Sequence, residues 1–374
     1  MRITFVLWNG DIGGAERVTA ALAGKLRQMA VETDVLFVRC PAHLAPQLLA
    51  ERVPFTSLRL SRGASVLCHP RRMRTALQAL DPDVVITSRV GYLGAALRAG
   101  GFRGPIVGVE HGELIELHQR QGLSPKGWVT RTIGAMTHDA EVAVSRYMVD
   151  LVSRGVHVRR IVPISLGVDP SPAAVALPPW QSTLHVGYVG RLYPGKGVDR
   201  LIRAIARLAH QKPASRVELL VAGDGEMRGP WTQLARELGV ADQVQFVGWT
   251  DNVREHWARC HVAVAPNDTF IESFGMSVLE AMEAGRATIV TDRGALPELI
   301  VPGQTGEIVA AGDEAALADA LAAYAADPGL VVSHGAAARQ RAVAAYSLTN
   351  TADQVAGLAR DLLEESTSRR RGRL

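Results

Sequence analysis

The segment "VDPSPAAVALPPW", residues 168–180, divides the chain into two halves that share one alternating pattern. Its four prolines are poorly tolerated inside a helix or a central strand, and the segment shows no hydrophobic periodicity. On both sides of it, short apolar runs alternate with helix-like stretches. A proline-rich segment between two such arrays predicts a linker that joins two α/β domains.

Apolar runs bounded by turn residues are the candidate β-strands of both halves. Continuous β-branched runs are typical of parallel strands buried on both faces. The runs before the linker are residues 2–8, 33–39, 82–88, 105–110, 140–145 and 161–167, and those after it are 184–190, 217–223, 244–248, 261–266 and 287–292. Helical patterns lie between them at about 15–29, 198–210, 229–238 and 274–284, and an amphipathic pattern follows at about 352–365. Two successive strand–helix arrays predict two doubly wound domains facing a central cleft.

Length and composition agree with a globular protein of two domains. The 374 residues exceed the size at which a single hydrophobic core keeps growing. The chain has no uninterrupted apolar run of about 18 residues, the length expected of a membrane-spanning helix. Its three cysteines lack paired spacing, which argues against a disulfide framework and against a zinc site. We therefore expect a cytoplasmic protein.

The net charge of +4 is distributed unevenly along the chain. The basic clusters are Arg71, Arg72 and Arg74, then Arg159 and Arg160, and finally "SRRRGRL" at 368–374. Such clusters suit anionic lipid, a phosphorylated substrate or nucleic acid, and they are equally compatible with a solvated surface. Aromatic residues make up 5% of the chain and are not interleaved with the basic runs, which argues against nucleic acid. Peripheral contact with the inner face of an anionic membrane stays open.

The glycine-containing turn after the first strand is a weak candidate for an anion site. "WNGDIGGAERV" (8–18) places Gly10, Gly13 and Gly14 between the strand and its helix. Glycines there allow backbone N–H groups to approach an anion, although a tight turn without a ligand explains them equally well. The spacing is not G-x-G-x-x-G, so a Rossmann dinucleotide site is disfavoured.

The loop after the first strand of the second half carries two cations. In "YVGRLYPGKG" (188–197), Arg191 and Lys196 flank a turn that contains Pro194 and Gly195. Arginine offers a planar fork and lysine a point charge, so the two side chains suit one phosphoryl group. Two surface cations in a loop are the alternative. The order of the glycines does not match a Walker A motif.

"ESFGMSVLEAMEAG" (272–285) predicts a helix that starts near Ser273 or Phe274. The first backbone N–H groups of such a helix, at Phe274, Gly275 and Met276, would point out of the sheet's carboxyl edge and could bind an anion. Glu272 and Glu280 would lie about 80° apart around the helix, too far apart for a close catalytic pair. They would instead accept hydroxyl groups from different parts of one ligand. The alternative makes Glu272 a helix cap and Glu280 a surface acid.

These motifs together resemble the retaining glycosyltransferases of family 4, which use nucleotide sugars and have the GT-B fold. "VGRLYPGKG", "VAGDGE", "FVGWTDN" and "ESFGMSVLEAMEAGRATIVTDRGALPELI" occur in the family's order, and "GGAERV" and "VEHG" match its N-terminal elements. The resemblance is strong over 184–310 and looser before. It implies two Rossmann-like domains: residues 1–168 with a returning C-terminal segment 352–374 on the acceptor side, and residues 169–351 for the nucleotide sugar.

The resemblance also implies a role for each matched residue. Arg191 and Lys196 would neutralise the donor diphosphate, Glu280 would bind the ribose, and Glu272 would hold hydroxyls of the sugar. The backbone of Phe274, Gly275 and Met276 would surround sugar and phosphate, Gly14 would approach the diphosphate from the other domain, and His111 would contact the sugar near the reacting carbon. Thr250 and Asn252 would touch the base. His111, Arg191, Lys196 and Glu272 form the predicted catalytic set.

The implied activity is a retaining, hexosyltransferase-type transfer from a nucleoside-diphosphate sugar, with UDP favoured over GDP. No cofactor or metal is expected, since the only D-x-D, Asp81–Asp83, precedes a strand and is interpreted as a turn.

The expected acceptor is a hydroxyl group of a lipid-linked, glycan or secondary-metabolite molecule. Its site could be lined by Arg89, Tyr92, Glu113 and residues 114–128. An epimerase of the same architecture and a non-catalytic nucleotide-sugar-binding protein at the membrane are the alternatives. "ISLGVD" (164–169) departs from the family by placing Leu166 where asparagine is common.

Overall fold

The computed structural model describes residues 1–10, 13–61, 65–88, 91–112, 125–154, 158–211 and 216–371. The chain divides into two compact units. The first unit comprises Met1–Gly167 with Leu348–Leu374, and the second comprises Val168–Ser347. The sequence placed the corresponding boundaries after residues 168 and 351.

The first unit is a seven-stranded parallel sheet in the order β3-β2-β1-β4-β5-β6-β7. Its strands are β1 Arg2–Leu7, β2 Glu32–Phe37, β3 Phe55–Ser57, β4 Val84–Thr87, β5 Ile106–Glu110, β6 Ala140–Ala143 and β7 Ile161–Pro163. Its helices are α1 Gly14–Gln28, α2 Ala45–Ala50, α3 Pro70–Leu80, α4 Tyr92–Ala99, α5 Pro125–Thr137 and α6 Arg146–Ser153. The short strand β3 was missing from the sequence prediction, because its sequence, Phe-Thr-Ser, contains a single apolar residue and shows no apolar run.

The second unit contains a six-stranded parallel sheet in the order β10-β9-β8-β11-β12-β13. Its strands are β8 Thr183–Val189, β9 Arg216–Ala222, β10 Val244–Gly248, β11 Val262–Ala265, β12 Ala287–Thr291 and β13 Gly306–Val309. Its helices are α7 Val198–Gln211, α8 Arg228–Glu237, α9 Val253–Ala258, α10 Met276–Glu283, α11 Leu296–Leu299, α12 Glu314–Ala326 and α13 Pro328–Ala345. The edge strand β13 is the other strand that the sequence prediction lacked.

The C-terminal helix α14, Leu348–Arg371, belongs to the first unit although it follows the second along the chain. Its apolar face is buried in the core of that unit and contacts α1. The buried residues of that face are Leu348, Ala352, Val355, Ala356, Leu358, Ala359 and Leu362. Spacing of three and four residues brings them to one side of a helix, as the amphipathic pattern indicated.

Within the described ranges, no single helix has the length and apolar composition needed to cross a membrane. The helices α12 and α13 meet that test only when they are taken together, and they are bent by 104° at the break between them.

The sheet of the second unit has its topological switch point at β8. β9 lies on one side of β8 and β11 on the other, and the chain leaves β8 and β11 in the same direction because the two strands are parallel. Ligands of doubly wound sheets bind outside the carboxyl ends of the strands at such a point. The two loops that begin there, 190–197 and 266–275, are the loops in which the sequence placed the cations and the first glutamate.

Candidate functional site

The loops after β8 and β11 are held together by backbone hydrogen bonds. The amides of Asp268 and Phe270 both donate to the carbonyl oxygen of Gly195, over 2.8 Å and 3.1 Å. Leu192 is fully buried and joins the same loop to the turn after β9, because its amide donates to the Asp224 carbonyl oxygen over 2.9 Å. The three turns therefore form one connected layer over the carboxyl edge of the sheet.

Two glycines make this close approach of the loops feasible. Gly195 and Gly197 have φ angles of +80° and +72°, in the left-handed region that side-chain-bearing residues rarely adopt. A Cβ atom on Gly197 would lie 1.7 Å from the carbonyl oxygen of Pro266. The sequence pattern "PGKG" is thus explained by the packing of the two loops, with Lys196 fixed between the glycines.

Lys196 is buried, with 8% of its surface exposed, and lies between a carboxylate and an aromatic ring. Its ammonium group donates a hydrogen bond to Oε1 of Glu272 and forms an ion pair with it. The same nitrogen lies 3.7 Å from the centre of the Phe270 ring, a cation–π contact. The structure therefore brings together two residues, 76 positions apart, that the sequence placed in one site.

The main chain at Glu272 is fixed by the turn that follows β12. The amide of Ala295 donates to the Glu272 carbonyl oxygen over 2.9 Å, and Gly294, at φ +60°, leaves no room there for a side chain. The Glu272 side chain keeps a quarter of its surface exposed. A carboxylate in this position has acceptor capacity beyond its bond to Lys196.

The helix after Glu272 begins later than the sequence predicted. α10 starts at Met276, and Gly275 is its N-cap with φ +106° and ψ 53°. The left-handed conformation of Gly275 separates the preceding extended segment from the helix, so the predicted start at Ser273 or Phe274 was wrong. Glu272 lies outside the helix, and the predicted angle of about 80° between Glu272 and Glu280 does not apply. Glu272 is also not the helix cap.

Gly275 nevertheless keeps the backbone open at the start of α10. The amides of Val278 and Leu279 make the first hydrogen bonds of the helix, both to the Gly275 carbonyl oxygen. The amides of Met276 and Ser277 precede these bonds and belong to the helix N-terminus, where anions are favoured. The Phe274 side chain is buried and packs edge-on against Tyr346, so only its main chain is available to a ligand. Glu280 lies half-buried in the middle of α10.

Arg191 is the exposed cation of the site. Its guanidinium group lies over the ring of Tyr193, 5.1 Å from the ring centre. Its carbonyl oxygen accepts a hydrogen bond of 3.1 Å from the hydroxyl of Tyr188. Burial raises the pKa of Tyr188, and the nearby negative charge of Glu272 raises it further. Tyr188 is therefore a neutral phenol that supports the loop, and the sequence analysis did not single it out.

Thr250 and Asn252 lie in the turn between β10 and α9. The Asn252 side chain caps α9 by accepting a hydrogen bond of 3.2 Å from the amide of Glu255. The Thr250 hydroxyl accepts one of 3.1 Å from the amide of Asn252. Both side chains thus have a structural role in this turn, beside an exposed Trp249.

Gly14 and His111 belong to the first unit. Gly14 is the first residue of α1, and a Cβ atom there would meet no other atom within 4 Å. His111 follows β5 at the carboxyl edge of its sheet and lines a small, mostly apolar cavity of about 40 Å³.

The residues that the sequence suggested for the acceptor site are only partly described by the structure. Among them, Tyr92 is half-buried at the start of α4. Arg89, Glu113 and residues 114–124 lie outside the described residues.

A third acid of the motif, Glu283, has a structural role that the sequence analysis missed. Its carboxylate accepts hydrogen bonds from Arg339 over 2.8 Å, from Arg254 over 3.1 Å and from the amide of Ser171 over 2.9 Å. It therefore joins α10 to α13, to α9 and to the start of the linker. The sequence does show two glutamates three positions apart in α10, Glu280 and Glu283. Only the contacts with the neighbouring helices show that Glu283 is the structural one.

The Asp81–Asp83 pair lies before β4, at the amino edge of the first sheet. Asp81 has a left-handed conformation after α3, and the carboxylate of Asp83 accepts a hydrogen bond of 2.7 Å from the amide of Arg2. Both residues are thus part of a turn at the edge opposite to the one that carries His111.

Comparisons with known proteins agree with this architecture. The family described as "Glycosyl transferases group 1" matches residues 183–327, and "Glycosyltransferase Family 4" matches residues 12–172. The lipopolysaccharide core biosynthesis mannosyltransferase LpcC of Rhizobium leguminosarum is 30% identical over 259 residues, which cover 67% of this chain and 71% of that protein. A D-inositol 3-phosphate glycosyltransferase of Streptomyces avermitilis is 33% identical over 381 residues, covering 89% of this chain and 80% of that protein.

Solved structures share the fold over nearly the whole chain. A glycosyltransferase from Rickettsia africae superposes with a TM-score of 0.81 at 16% identity, covering 97% of this chain and 98% of that one. Anabaena HepE, in complex with UDP and glucose, superposes with a TM-score of 0.77 at 21% identity, covering 96% and 99%. The predictions of a GT-B fold and of a glycosyltransferase enzyme are confirmed. The chain belongs to glycosyltransferase family 4.

Proposed function

We propose that this protein is a retaining, metal-independent hexosyltransferase that uses a nucleoside-diphosphate sugar as donor. The observation that carries the proposal is the ion pair of Lys196 and Glu272 at the switch point of the second sheet, in the same pair of loops as the exposed Arg191. Two cations and a helix N-terminus suit a diphosphate, and a partly exposed carboxylate suits sugar hydroxyls.

The charges of the site match the chemistry of a departing diphosphate. As the bond between the sugar C1 and the diphosphate oxygen breaks, negative charge develops on the leaving group. Arg191 is exposed and forms no ion pair with another described residue, so it can contact a phosphate without breaking one. Lys196 is held by Glu272 and Phe270, so its charge is fixed in place before the donor binds. Preorganised charges of this kind stabilise a transition state without the cost of reorganisation.

We propose that the acceptor hydroxyl attacks C1 from the face that the diphosphate leaves. The new bond joins the acceptor oxygen to C1, and the proton of the hydroxyl passes to an oxygen of the departing phosphate. This route retains the anomeric configuration and needs no protein nucleophile. In this scheme His111 contacts the sugar near C1, Glu280 binds the ribose, and Gly14 approaches the diphosphate. Thr250 and Asn252 contact the base through the turn that they stabilise.

UDP is the favoured nucleotide, and the sugar is a hexose. The Anabaena HepE structures that share the fold hold UDP or UDP-glucose, and a relative named for mannosyl transfer is 30% identical. The names of the relatives specify different acceptors, among them lipopolysaccharide core, D-inositol 3-phosphate and glycogen. We therefore propose that the acceptor group is a hydroxyl of a lipid-linked, glycan or secondary-metabolite molecule. Sugar transfer would take place at the cytoplasmic side of the membrane.

Thermal shift against UDP, GDP, ADP and their sugars, with and without EDTA, tests the donor and the metal independence. A ligand that binds the native state raises the melting temperature by mass action. We expect stabilisation by one nucleotide family, with the same shift in EDTA. No shift with any nucleotide at millimolar concentration would contradict the donor site, and a shift abolished by EDTA would contradict metal independence.

Substitution of the two paired residues tests the catalytic assignment. We expect Glu272→Ala and Lys196→Ala to abolish sugar transfer while the fold stays intact. The exposed Glu364→Ala on α14 is the control, and it should leave turnover unchanged. Near-normal turnover in either site variant would remove that residue from the catalytic set.

A further inference from the structure

A strongly basic stretch of the chain lies in the first unit. Residues 52–80 contain six arginines and neither aspartate nor glutamate. The arginines are Arg52, Arg59, Arg62, Arg71, Arg72 and Arg74. The last three lie in the first half of α3, where they project from the exposed side while Met73 and Leu77 face the core.

No carboxylate of the residues that the structure describes pairs with these three arginines on α3. Arg72 and Arg74 donate only to backbone carbonyl oxygens, those of Leu58 over 3.3 Å and Gly100 over 3.4 Å. Over the described ranges of the chain, no carboxylate forms an ion pair with any of the three. Asp81 is the next acid along the chain, seven to ten residues after these arginines and about 10–15 Å away along the helix axis. That separation exceeds the screening length of about 8 Å at physiological salt.

Arg159 and Arg160 of the second basic cluster, and Arg369 of the third, differ in this respect. Arg159 pairs with Asp139 at 3.6 Å, and Arg160 pairs with Glu365 at 3.2 Å and with Asp361 at 3.5 Å. Arg369 pairs with Glu365 at 3.5 Å. These arginines are therefore part of a mixed-charge surface on and beside α14, and their field on an approaching anion is weak.

An exposed apolar side chain precedes the arginines of α3 along the chain. Leu67, in the short 3-10 helix Val66–Cys68 that precedes α3, has 41% of its surface exposed. The first turn of α3 contains no acidic residue, and Arg71 and Arg72 lie in that turn, at the positive end of the helix dipole. That placement is unfavourable in water and becomes favourable when an anionic surface faces it. We call Leu67, Arg71, Arg72 and Arg74 the arginine face.

We propose that the arginine face docks on the surface of a bilayer that contains anionic phospholipids. Anionic headgroups supply the missing negative charge, and Leu67 is positioned to enter the interfacial region. Each arginine near such a surface strengthens binding by roughly fivefold, so the three together supply roughly a hundredfold. The inference rests on the proposed function only in that docking would bring a lipid-linked acceptor to the enzyme.

Cosedimentation of the full chain with vesicles tests the proposal without turnover. The probes are vesicles of phosphatidylcholine mixed with phosphatidylglycerol, and vesicles of phosphatidylcholine alone. We expect binding to the mixed vesicles only, and weaker binding at high salt because screening shortens the range of the charges. The triple variant Arg71→Gln/Arg72→Gln/Arg74→Gln should bind roughly a hundredfold more weakly.

The triple variant Arg159→Gln/Arg160→Gln/Arg369→Gln is the matched control, because it removes the same net charge from the compensated clusters. It should keep its vesicle binding. Arg71→Glu alone is a second test that spares the backbone contacts of Arg72 and Arg74, and it should weaken binding by at least fivefold. Thermal unfolding of each variant shows whether the first unit remains folded, and nucleotide-dependent thermal shift shows whether the second does. A failed donor site is thus distinguished from a failed docking surface.

Three results would overturn the proposal. They are the absence of binding to anionic vesicles, equal binding by the two triple variants, and loss of binding only in the control. Tighter binding to an oligonucleotide than to vesicles, with the same dependence on Arg71, Arg72 and Arg74, would assign the face to nucleic acid instead.

Discussion

At the scale of single residues, the site depends on contacts that the motif pattern does not contain. The sequence assigned Lys196 and Glu272 to one ligand because each followed a strand, but not to each other. Their ion pair requires β8 and β11 to be neighbours, a consequence of strand order that a separation of 76 positions in the sequence conceals. Phe270 and Tyr188, which fix Lys196 and the Arg191 loop, carry no motif signal and emerge only from packing.

Substitution of Gly197 should distinguish two contributions to stability, the close packing of the two loops and the left-handed backbone conformation of the glycine. We expect Gly197→Ala to lower the free energy of unfolding of the second unit by well over about 2 kcal/mol, because the new Cβ would overlap the Pro266 carbonyl oxygen at a left-handed φ. Gly239→Ala is the matched control, with φ +70° and no atom within 4 Å of the Cβ, and should cost about 1 kcal/mol. Equal costs in denaturant unfolding would show that the contact of the two loops is unimportant.

At the scale of elements, α10 carries two glutamates with different roles. We expect Glu280→Gln to weaken nucleotide binding about tenfold while changing stability by less than about 1 kcal/mol. Glu283→Gln should lower the unfolding free energy by about 3 kcal/mol, because Arg339 and Arg254 lose their buried anionic partner. Calorimetric titration and denaturant unfolding measure the two effects, and the reverse pattern would exchange the two assignments.

The buried His256 of α9 predicts that acid destabilises the second unit. Burial lowers the pKa of His256 to about 4, with the charge of Arg259 contributing, so the folded protein keeps the ring neutral. The unfolded chain takes up a proton below about pH 6.5, and the free energy of unfolding therefore falls as the pH decreases from about 6.5 to 4. At pH 5 the loss should be about 2 kcal/mol.

His256→Phe should remove that contribution, since the ring packs edge-on against Trp257 and its Nε2 has no hydrogen-bond partner among the described residues. Part of the acid sensitivity should remain, because burial also lowers the pKa of His261 to about 4. Urea unfolding of both proteins at pH 7 and pH 5 measures the difference. Identical pH dependence would show that His256 does not carry the effect.

The elements themselves were largely predictable, and the failures have physical causes. Long buried strands such as β1, β8 and β9 are rich in apolar residues over six or seven positions, which the sequence reveals directly. The edge strands β3 (Phe-Thr-Ser) and β13 (Gly-Glu-Ile-Val) contain too few apolar residues to stand out as a run. The start of α10 was misplaced because Gly275 was interpreted as a helical position, whereas its φ of +106° ends the preceding extended segment.

At the scale of the whole molecule, the chain forms two units, and the first is discontinuous in sequence. α14 follows the second unit but completes the core of the first. The amphipathic pattern at about 352–365 was visible in the sequence, while its partner was implied only by the family resemblance. A helix pattern shows which face is buried and does not show what covers it.

Truncation of Leu358 should therefore affect one unit and spare the other. We expect Leu358→Ala to lower the free energy of unfolding of the first unit by about 2–4 kcal/mol, as its side chain is buried in that core. Nucleotide-dependent stabilisation of the second unit should persist. The exposed Glu364→Ala on the same helix is the control. Loss of nucleotide binding in Leu358→Ala would contradict the division of roles between the units.

Calorimetric titration of UDP and GDP into the wild-type protein and the Lys196→Ala variant, both in EDTA, tests the central claim most directly. The claim is that the paired Lys196 and Glu272 at the edge of the second sheet belong to a metal-independent donor site. We predict one saturable site for one of the two nucleotides, and affinity reduced by roughly 10- to 100-fold in the variant, as expected for loss of a charged hydrogen bond. Equal affinity in the two proteins, or no binding by the wild type, would contradict the account.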